Sequence, residues 1–225
     1  MSGCFLSPGR VAVEPTWPCP AHRLATVPAA WRSCRLVLPA MVALASLSIA
    51  AEPELPPIFN GRDLSGWKAP AEPYWKVVDG VLVGANDEAK KGSMLYTEKS
   101  YGDVILEGEV RWTGEIDSGF MLRKPEVQVQ IGVSRSLKRD MTCSFYVGKY
   151  PEEAQAKRAG ELLRPGDWNR IRVEARGDTF TVFLNGQQVS RYTDAKYKDP
   201  GPIGLQIHAG LVMQVEFRDL RAREL

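Results

Sequence analysis

The sequence predicts an all-β protein: an antiparallel β-sandwich or jelly roll that forms a single domain. Beyond residue 57, about a dozen short runs rich in β-branched and aromatic residues are separated by polar turns. Residues 151–163 are the only stretch that could form a helix of any length, and Gly160 weakens it. Because no helices alternate with the strands, the pattern excludes a doubly wound α/β fold.

Two hairpins supply the strongest local signals. Residues 75–84 form two β-rich runs around Asp79-Gly80, and residues 179–192 form two more around Asn185-Gly186. Asp-Gly and Asn-Gly favour the positive φ angles that two-residue hairpin turns require. Each segment is therefore predicted to be a tight β-hairpin.

Other strands are predicted by a hydrophobic period of two. Residues 103–112 alternate between an apolar set (Val104, Leu106, Val110 and Trp112) and a charged set (Glu107, Glu109 and Arg111). Residues 171–174 and 215–218 alternate in the same way. Such alternation places one face of each strand in a core and the other in water.

Residues 1–50 resemble a targeting segment, a signal peptide with an N-terminal extension. Arg32 and Arg35 precede an uncharged stretch over residues 36–49, and small residues lie close to Ala50. This pattern predicts export and cleavage near Ala50. A retained membrane span is the weaker interpretation, because a span needs roughly 20 apolar residues. Residues 51–57 are predicted to be a linker, and residues 58–225 the folded domain.

Charge and cysteine usage exclude some classes of protein. The 29 basic and 27 acidic residues give a net charge of +2, which argues against nucleic-acid binding through bulk charge. Cys4, Cys19 and Cys34 lie in the predicted leader, so Cys143 remains alone in the mature chain. We therefore expect no internal disulfide, a buried Cys143 thiol and no zinc site of the usual cysteine and histidine type.

Polar side chains on the predicted strands are the candidates for a binding site. Glu126, Gln128 and Gln130 share one face, whereas the valine and isoleucine residues between them share the other. Gln206 and His208 alternate with apolar residues in the same manner. Rows of amide and carboxylate side chains suit a face that hydrogen-bonds hydroxyl-rich ligands. The alternative is an ordinary solvated sheet face, with His208 as an ordinary hydrogen-bonded histidine.

Two further features leave alternatives open. Trp67, Tyr74 and Trp75 could stack on a sugar ring or pack in the core. The basic loop over residues 134–140 could shape the rim of the site through Arg135, Lys138 and Arg139, or it could simply be solvated.

A set of ordered motifs resembles the 3-keto-disaccharide hydrolase domain family. The motifs span nearly all of residues 55–225, and it is their combination that is specific. They are Phe59-Asn60-Gly61-Arg62-Asp63-Leu64-Ser65-Gly66-Trp67, Trp75-Lys76-Val77-Val78-Asp79-Gly80-Val81-Leu82, Tyr101-Gly102-Asp103, Asp117-Ser118-Gly119-Phe120-Met121-Leu122-Arg123, Asp167-Trp168-Asn169, Leu184-Asn185-Gly186, Gly201-Pro202-Ile203-Gly204-Leu205-Gln206-Ile207-His208 and Phe217-Arg218-Asp219-Leu220. The resemblance implies an exported, concanavalin-like β-sandwich that acts on oxidised glycosides or oligosaccharides.

The chemistry of such a substrate defines what a site would need. A ketone at C3 acidifies the hydrogen on C2, so a base can remove it, the C1 substituent is expelled and water adds back. The site then needs a base, an acid for the departing oxygen, and a hydrogen-bond donor or divalent metal at the C3 oxygen. On this hypothesis Glu126 or His208 is the base or acid. Substrate is bound by Arg123, Gln128, Gln130, Gln206 and Asp117.

One position departs from the family pattern. Gln128-Val129-Gln130-Ile131 fits the register of a family segment that typically has Glu-x-Gln-Ile, so a glutamine occupies the place of the family glutamate. In the other register, Glu126 keeps the carboxylate but the following match is lost. The alternative function is therefore a non-catalytic carbohydrate-binding module. Asp117 with Glu126 could also form an ordinary glycosidase pair, which the resemblance does not favour. We expect all of these side chains to converge in one hollow.

Overall fold

Two antiparallel sheets of seven strands each pack face to face across the residues that the computed structural model describes, 54–68 and 70–225. This confirms the predicted antiparallel β-sandwich. In chain order the strands are β1 Trp67–Lys68, β2 Trp75–Val78, β3 Val81–Ala85, β4 Ser93–Tyr101, β5 Val104–Trp112, β6 Asp117–Leu122, β7 Val127–Ser134, β8 Arg139–Asp140, β9 Phe145–Tyr146, β10 Asn169–Arg176, β11 Thr179–Leu184, β12 Gln187–Thr193, β13 Gly201–Ile207 and β14 Gln214–Glu224. The predicted leader, residues 1–50, lies outside the described residues.

Strands distant in sequence are neighbours in both sheets. Sheet I has the order β12-β11-β10-β5-β14-β3-β2. Sheet II has the order β1-β4-β13-β6-β7-β8, and β9 also pairs with β7. The strand order of sheet II brings β13 from the C-terminal part of the chain next to β6, with β7 on the other side of β6.

Both predicted hairpins form with the expected turns. Val78 pairs with Val81 across Asp79 and Gly80, whose φ angles are 49° and 80°. Leu184 pairs with Gln187 across Asn185 and Gly186, whose φ angles are 50° and 85°. Two consecutive positive φ angles match the right-handed twist of the flanking strands, so each turn fixes the register of its hairpin.

Residues 151–163, the one stretch that the sequence allowed to be a longer helix, contain only two short helical turns. A 3-10 helix covers Glu152–Ala154 and a single turn, α1, covers Ala159–Leu162. Gln155 is extended between them, and Arg158 has a left-handed φ of 61°, so a continuous helix cannot form. In the described part of the chain, no helix is long and apolar enough to cross a membrane.

The core lies between the two sheets and is rich in aromatic rings. The Phe217 ring lies 5.9 Å from that of Phe120 and 6.3 Å from that of Trp75, so one residue joins both sheets. Cys143 is fully buried, and burial raises the pKa of its thiol, as expected for a core thiol. Trp67, Tyr74 and Trp75 also lie in this core and not on a sugar-binding surface.

The sandwich includes residues 55–57, which the sequence assigned to the linker. Leu55 is buried, the Pro56 carbonyl accepts a hydrogen bond from Ala222 N at 3.0 Å, and Pro57 pairs with Arg221. These contacts add a short extended segment beside β14.

A buried arginine connects the two sheets at one end of the sandwich. Arg123 follows β6 of sheet II, and its guanidinium donates to Asp103 Oδ1 at 2.9 Å and to the Gly177 carbonyl at 3.0 Å. Both acceptors flank strands of sheet I, and the Arg123 side chain is 2% exposed. The ion pair between Arg123 and Asp103 therefore holds the loop between β6 and β7 against sheet I.

Replacing Phe217 by alanine should strongly destabilise the sandwich, because it empties the contact between the two sheets. We expect Phe217→Ala to lower the free energy of unfolding by about 3–5 kcal/mol in urea denaturation. The matched control Val212→Ala removes a side chain that is 45% exposed, and it should change stability by less than about 0.5 kcal/mol. Similar losses for the two variants would contradict this account of the core.

The Arg123–Asp103 pair should make stability depend on pH. The Arg123 hydrogen bond, together with the Gly177 N–H, lowers the pKa of Asp103 below its ordinary value of 3.8. Because the folded-state pKa is the lower one, the stabilisation is complete above the unfolded value and is lost as the pH falls through the folded value. Asp103→Asn should therefore reduce the unfolding free energy equally at pH 7 and pH 5, and by less at pH 3.

Urea denaturation at the three pH values would measure this difference, with Glu88→Gln as the control at an exposed carboxylate. A deficit in Asp103→Asn that is as large at pH 3 as at pH 7 would show that the loss does not come from the charge of Asp103.

Candidate functional site

The outer face of sheet II carries the polar residues that the sequence analysis singled out. Val127, Val129 and Ile131 of β7 are fully buried in the core, so Gln128 and Gln130 lie on the opposite face. Gln128 pairs with Met121 of β6, and Gln130 pairs with Gly119. The predicted alternation of β7 is confirmed.

Two glycines on this face have no side chains, and the space above them is occupied by side chains of neighbouring strands. A Cβ atom at Gly119 would be 2.8 Å from Gln128 Cγ. A Cβ atom at Gly204 would be 2.7 Å from Tyr96 Cε1 and 3.0 Å from Met121 Cβ. Only glycine permits these approaches, so Gln128 lies over β6 and the Tyr96 ring lies over β13.

Gln128 is the centre of a hydrogen-bond network. Its Nε2 donates to Gln130 Oε1 at 2.7 Å, to Gln206 Oε1 at 3.1 Å and to the Ser118 carbonyl at 3.3 Å. All three partners are acceptors, so they are matched to an amide nitrogen. An ionised glutamate at position 128 would face three oxygens and would be disfavoured.

Asp117 is held at the other end of this network. Gln130 Nε2 donates to Asp117 Oδ1 at 2.9 Å, and the Arg135 backbone N–H donates to Asp117 Oδ2 at 2.9 Å. The Tyr150 hydroxyl donates to Gln130 Oε1 at 3.0 Å. Burial, with a contribution from the Asp117 charge, raises the pKa of Tyr150 to about 12, so its phenol remains a donor at neutral pH.

His208 follows β13 and has a defined orientation. Its Nδ1 lies 2.6 Å from the Ala209 carbonyl, and its backbone N–H donates to the Asp117 carbonyl at 3.2 Å. Because a carbonyl only accepts, Nδ1 must carry the hydrogen, and in the neutral ring Nε2 keeps a free lone pair. His208 can therefore act as a base or as a hydrogen-bond acceptor through Nε2.

These side chains surround a hollow of about 140 Å³, which we call the histidine hollow. Its walls include Asp117, Gln128, Gln130, Tyr150, Gln206 and His208. Five of these six were proposed as site residues from the sequence, and the structure brings those five together. The sixth, Tyr150, also lines the hollow but was not proposed from the sequence.

The prediction of a single shared hollow was wrong for Glu126 and Arg123. Glu126 lies on the same face of sheet II but lines a separate hollow of about 610 Å³, where its Oε1 accepts a 2.7 Å hydrogen bond from the Tyr96 hydroxyl. Arg123 has its guanidinium buried in the link to sheet I, so that group does not reach a substrate oxygen in the histidine hollow. Glu126 lies in the loop at residues 124–126, immediately before β7 begins at Val127, and not within the β7 ladder.

Sequence reasoning missed the aromatic wall of the histidine hollow. Tyr146 and Tyr150 line it with ring centroids 5.0 Å apart. Arg135, placed on the rim by one of the two alternatives for the basic loop, also lines it, along with Ser134 and Ser136. Tyr146 belongs to the two-residue strand β9 and pairs with Gln128 of β7, whereas Tyr150 lies in the irregular segment that follows, and neither position belongs to a periodic pattern long enough to predict the contact.

The donor set of the histidine hollow does not by itself form a metal site. Its metal-binding groups of the usual kind are one carboxylate, Asp117, and one imidazole, His208. Across residues 54–68 and 70–225, no cluster of three or more histidine, cysteine, aspartate or glutamate side chains is placed to hold a metal ion. We therefore derive no step through a metal.

Comparison with solved structures supports the fold. A candidate glycosyl hydrolase from Parabacteroides distasonis shares 25% identity at a TM-score of 0.54, covering 76% of this chain and 84% of that chain. A second candidate glycosyl hydrolase from the same organism has 21% identity and a TM-score of 0.60, and the match covers 77% of this chain and 100% of that chain. The β-glucanase of Bacillus licheniformis has 12% identity and a TM-score of 0.52, and the match covers 74% of this chain and 95% of that chain.

The family comparison covers almost the whole sandwich. No curated protein matches the sequence. The family model described as the 3-keto-alpha-glucoside-1,2-lyase-like domain matches residues 55–223, which begins at the buried Leu55 and ends within β14. Together with the solved structures, this match indicates a β-sandwich of the glycosyl-hydrolase-like kind. The chain belongs to the 3-keto-alpha-glucoside-1,2-lyase-like domain family.

Proposed function

We propose that this chain is an exported enzyme that cleaves 3-keto-glycosides by elimination and hydration. The observation that carries the proposal is the arrangement of His208 in the histidine hollow, with Nδ1 tied to the Ala209 carbonyl and Nε2 left to accept a proton. Membership of a family described by 1,2-lyase chemistry on 3-keto-glucosides supports the same reaction.

The first step removes the hydrogen on C2. His208 Nε2 takes this proton, and the electron pair delocalises onto the C3 carbonyl oxygen. Gln206 is suited to stabilise that oxygen: its Oε1 is held by Gln128, and within the described chain its Nε2 donates to no protein acceptor. A donor already fixed in place stabilises developing negative charge without reorganisation.

The second step breaks the bond between C1 and the glycosidic oxygen. The electron pair on C2 forms a C1–C2 double bond as the departing oxygen leaves with the C1–O pair. Protonated His208, the acid that the first step creates, gives its proton to that oxygen. Water then adds across the double bond, hydroxyl at C1 and hydrogen at C2, so that the net reaction is hydrolysis.

Substitution of His208 tests the assignment of the base. We expect His208→Gln to lower kcat on a 3-keto-disaccharide by at least about 100-fold, the usual contribution of a general base, while the fold is retained. The measurement is release of free sugar over time, with circular dichroism to verify folding. Glu152→Gln, at an exposed position in the Glu152–Ala154 helix, is the control and should retain full activity.

Reaction in D₂O identifies the mechanism independently. Elimination and hydration place one solvent deuterium on C2 of the released 3-keto sugar, above the exchange seen without enzyme, whereas direct displacement at C1 places none. If Glu126→Gln abolished turnover and His208→Gln did not, the base would lie in the neighbouring hollow. Absence of turnover in the wild-type protein, with and without added divalent metal, would overturn the enzymatic proposal.

A second candidate function is carbohydrate binding without turnover. The observation that favours it is Gln128, whose three acceptor partners fit an amide in the position that one of the two registers aligns with the family glutamate. The aromatic wall of Tyr146 and Tyr150 and the amide rows would serve a binding site equally well. In that case calorimetry would detect sugar binding without sugar release, and His208→Gln would change affinity only.

Export rests on residues 32–50, the arginine-flanked uncharged run that ends in small residues. Expression of the full chain should yield a mature protein in the periplasm or medium whose N-terminus lies close to Ala51, as read by N-terminal sequencing. Replacing Leu36, Val37 and Leu38 with aspartates should retain the uncleaved chain inside the cell. Full-length protein outside the cell, or cleaved protein from the aspartate variant, would refute the assignment.

A further inference from the structure

A second and larger hollow lies beside the histidine hollow on the same face of sheet II. It measures about 610 Å³ and is bordered by Lys68, Tyr96, Pro125, Glu126, Pro200 and Pro202; we call it the proline hollow. Met121 pairs with Gly204 on one side and with Gln128 on the other, and Gly204 also pairs with Tyr96. Tyr96 and Gln128 thus belong to one row across four adjacent strands.

The two hollows are within reach of one extended ligand. Glu126 precedes Gln128 by two residues, which is about 6–7 Å along an extended chain. Between the hollows the row contains Gly204, over which the Tyr96 ring lies, and Met121, which is 3% exposed. Four adjacent strands span roughly 14 Å, so an extended ligand of two or three sugars is long enough to contact both Tyr96 and Gln128.

Tyr96 is fixed as a platform in the proline hollow. The close approach to Gly204 sets the plane of its ring, and the 2.7 Å hydrogen bond to Glu126 Oε1 holds its hydroxyl. Burial, with that hydrogen bond, raises the pKa of Tyr96, so the phenol remains protonated. A rigid aromatic face flanked by proline rings offers the apolar surface on which the C–H faces of sugars pack.

The hollows differ in volume by more than fourfold, about 140 Å³ against about 610 Å³. Pockets that enclose drug-sized ligands measure roughly 300–1,000 Å³. The proline hollow falls within this range and the histidine hollow below it, so the proline hollow has room for the larger part of a bound glycan. Lys68, Lys124 and Glu126 add hydroxyl-binding groups at its edge.

We propose that the proline hollow binds the leaving side of the glycan and that the preferred ligand is an oligosaccharide of three or more sugars. This inference rests on the proposed function for the placement of the reacting sugar in the histidine hollow. Tyr96 is the residue that determines the preference for length, and Glu126 positions it.

The test compares a 3-keto-disaccharide with the 3-keto-trisaccharide of the same linkage. We expect kcat/KM of the wild-type protein to be about tenfold higher for the trisaccharide, a gain typical of one aromatic contact. Tyr96→Ala should bring the ratio of the two kcat/KM values to about one, with the trisaccharide rate read against the disaccharide rate of the same variant. Tyr96→Phe, which keeps the ring, should retain most of the gain, and Glu152→Gln should retain all of it.

Equal rates for the two substrates in the wild-type protein would overturn the inference, as would a gain that persists in Tyr96→Ala. If the wild-type protein cleaves neither substrate, the proposed enzymatic function fails and the inference is judged by calorimetry. Unoxidised trisaccharide should then bind about tenfold more tightly than the disaccharide, with the difference lost in Tyr96→Ala. Equal affinities would refute it.

Discussion

The burial of one face of β7 determines where the site can be. Val127, Val129 and Ile131 are fully buried against sheet I, and their removal from water is a main source of stability for this part of the sandwich. A strand with a period of two must then present Gln128 and Gln130 on the opposite face. A shift of one residue would bury two amides in the core, so the register that stabilises the fold also creates the polar face.

The amide of Gln128 fixes the orientation of the neighbouring side chains on this polar face. One nitrogen meets acceptors from β6, β7 and β13, and through Gln130 the network reaches Asp117 and Tyr150. Buried polar groups are costly unless they are paired, so these side chains have few alternative arrangements. The same pairing explains why a glutamine is stable here.

Arg123 illustrates how a polar residue beside a site can serve the fold. By sequence it stands immediately after the β6 motif and close to Glu126, which suggested contact with substrate. In the structure its guanidinium is inserted between the sheets, where it meets Asp103, the Gly177 carbonyl and, at 5.8 Å, the Phe180 ring. The loop that it anchors carries Pro125 and Glu126, so a structural ion pair sets the position of the proline hollow.

Local patterns in the sequence determined the strands, the two hairpin turns and the polar faces of β7 and β13, because alternation and turn chemistry act between residues close in the chain. For that reason Gln128 and Gln130 could be assigned to one face of β7, and Gln206 to one face of β13. The strand order of sheet II, which sets Gln206 and His208 beside Asp117, comes only from pairing between distant segments. Whether Glu126, Arg123 and Tyr150 enter the hollow was decided by loops whose paths depend on packing and not on any periodic signal, and Tyr146 reaches it through the pairing of β9 with β7.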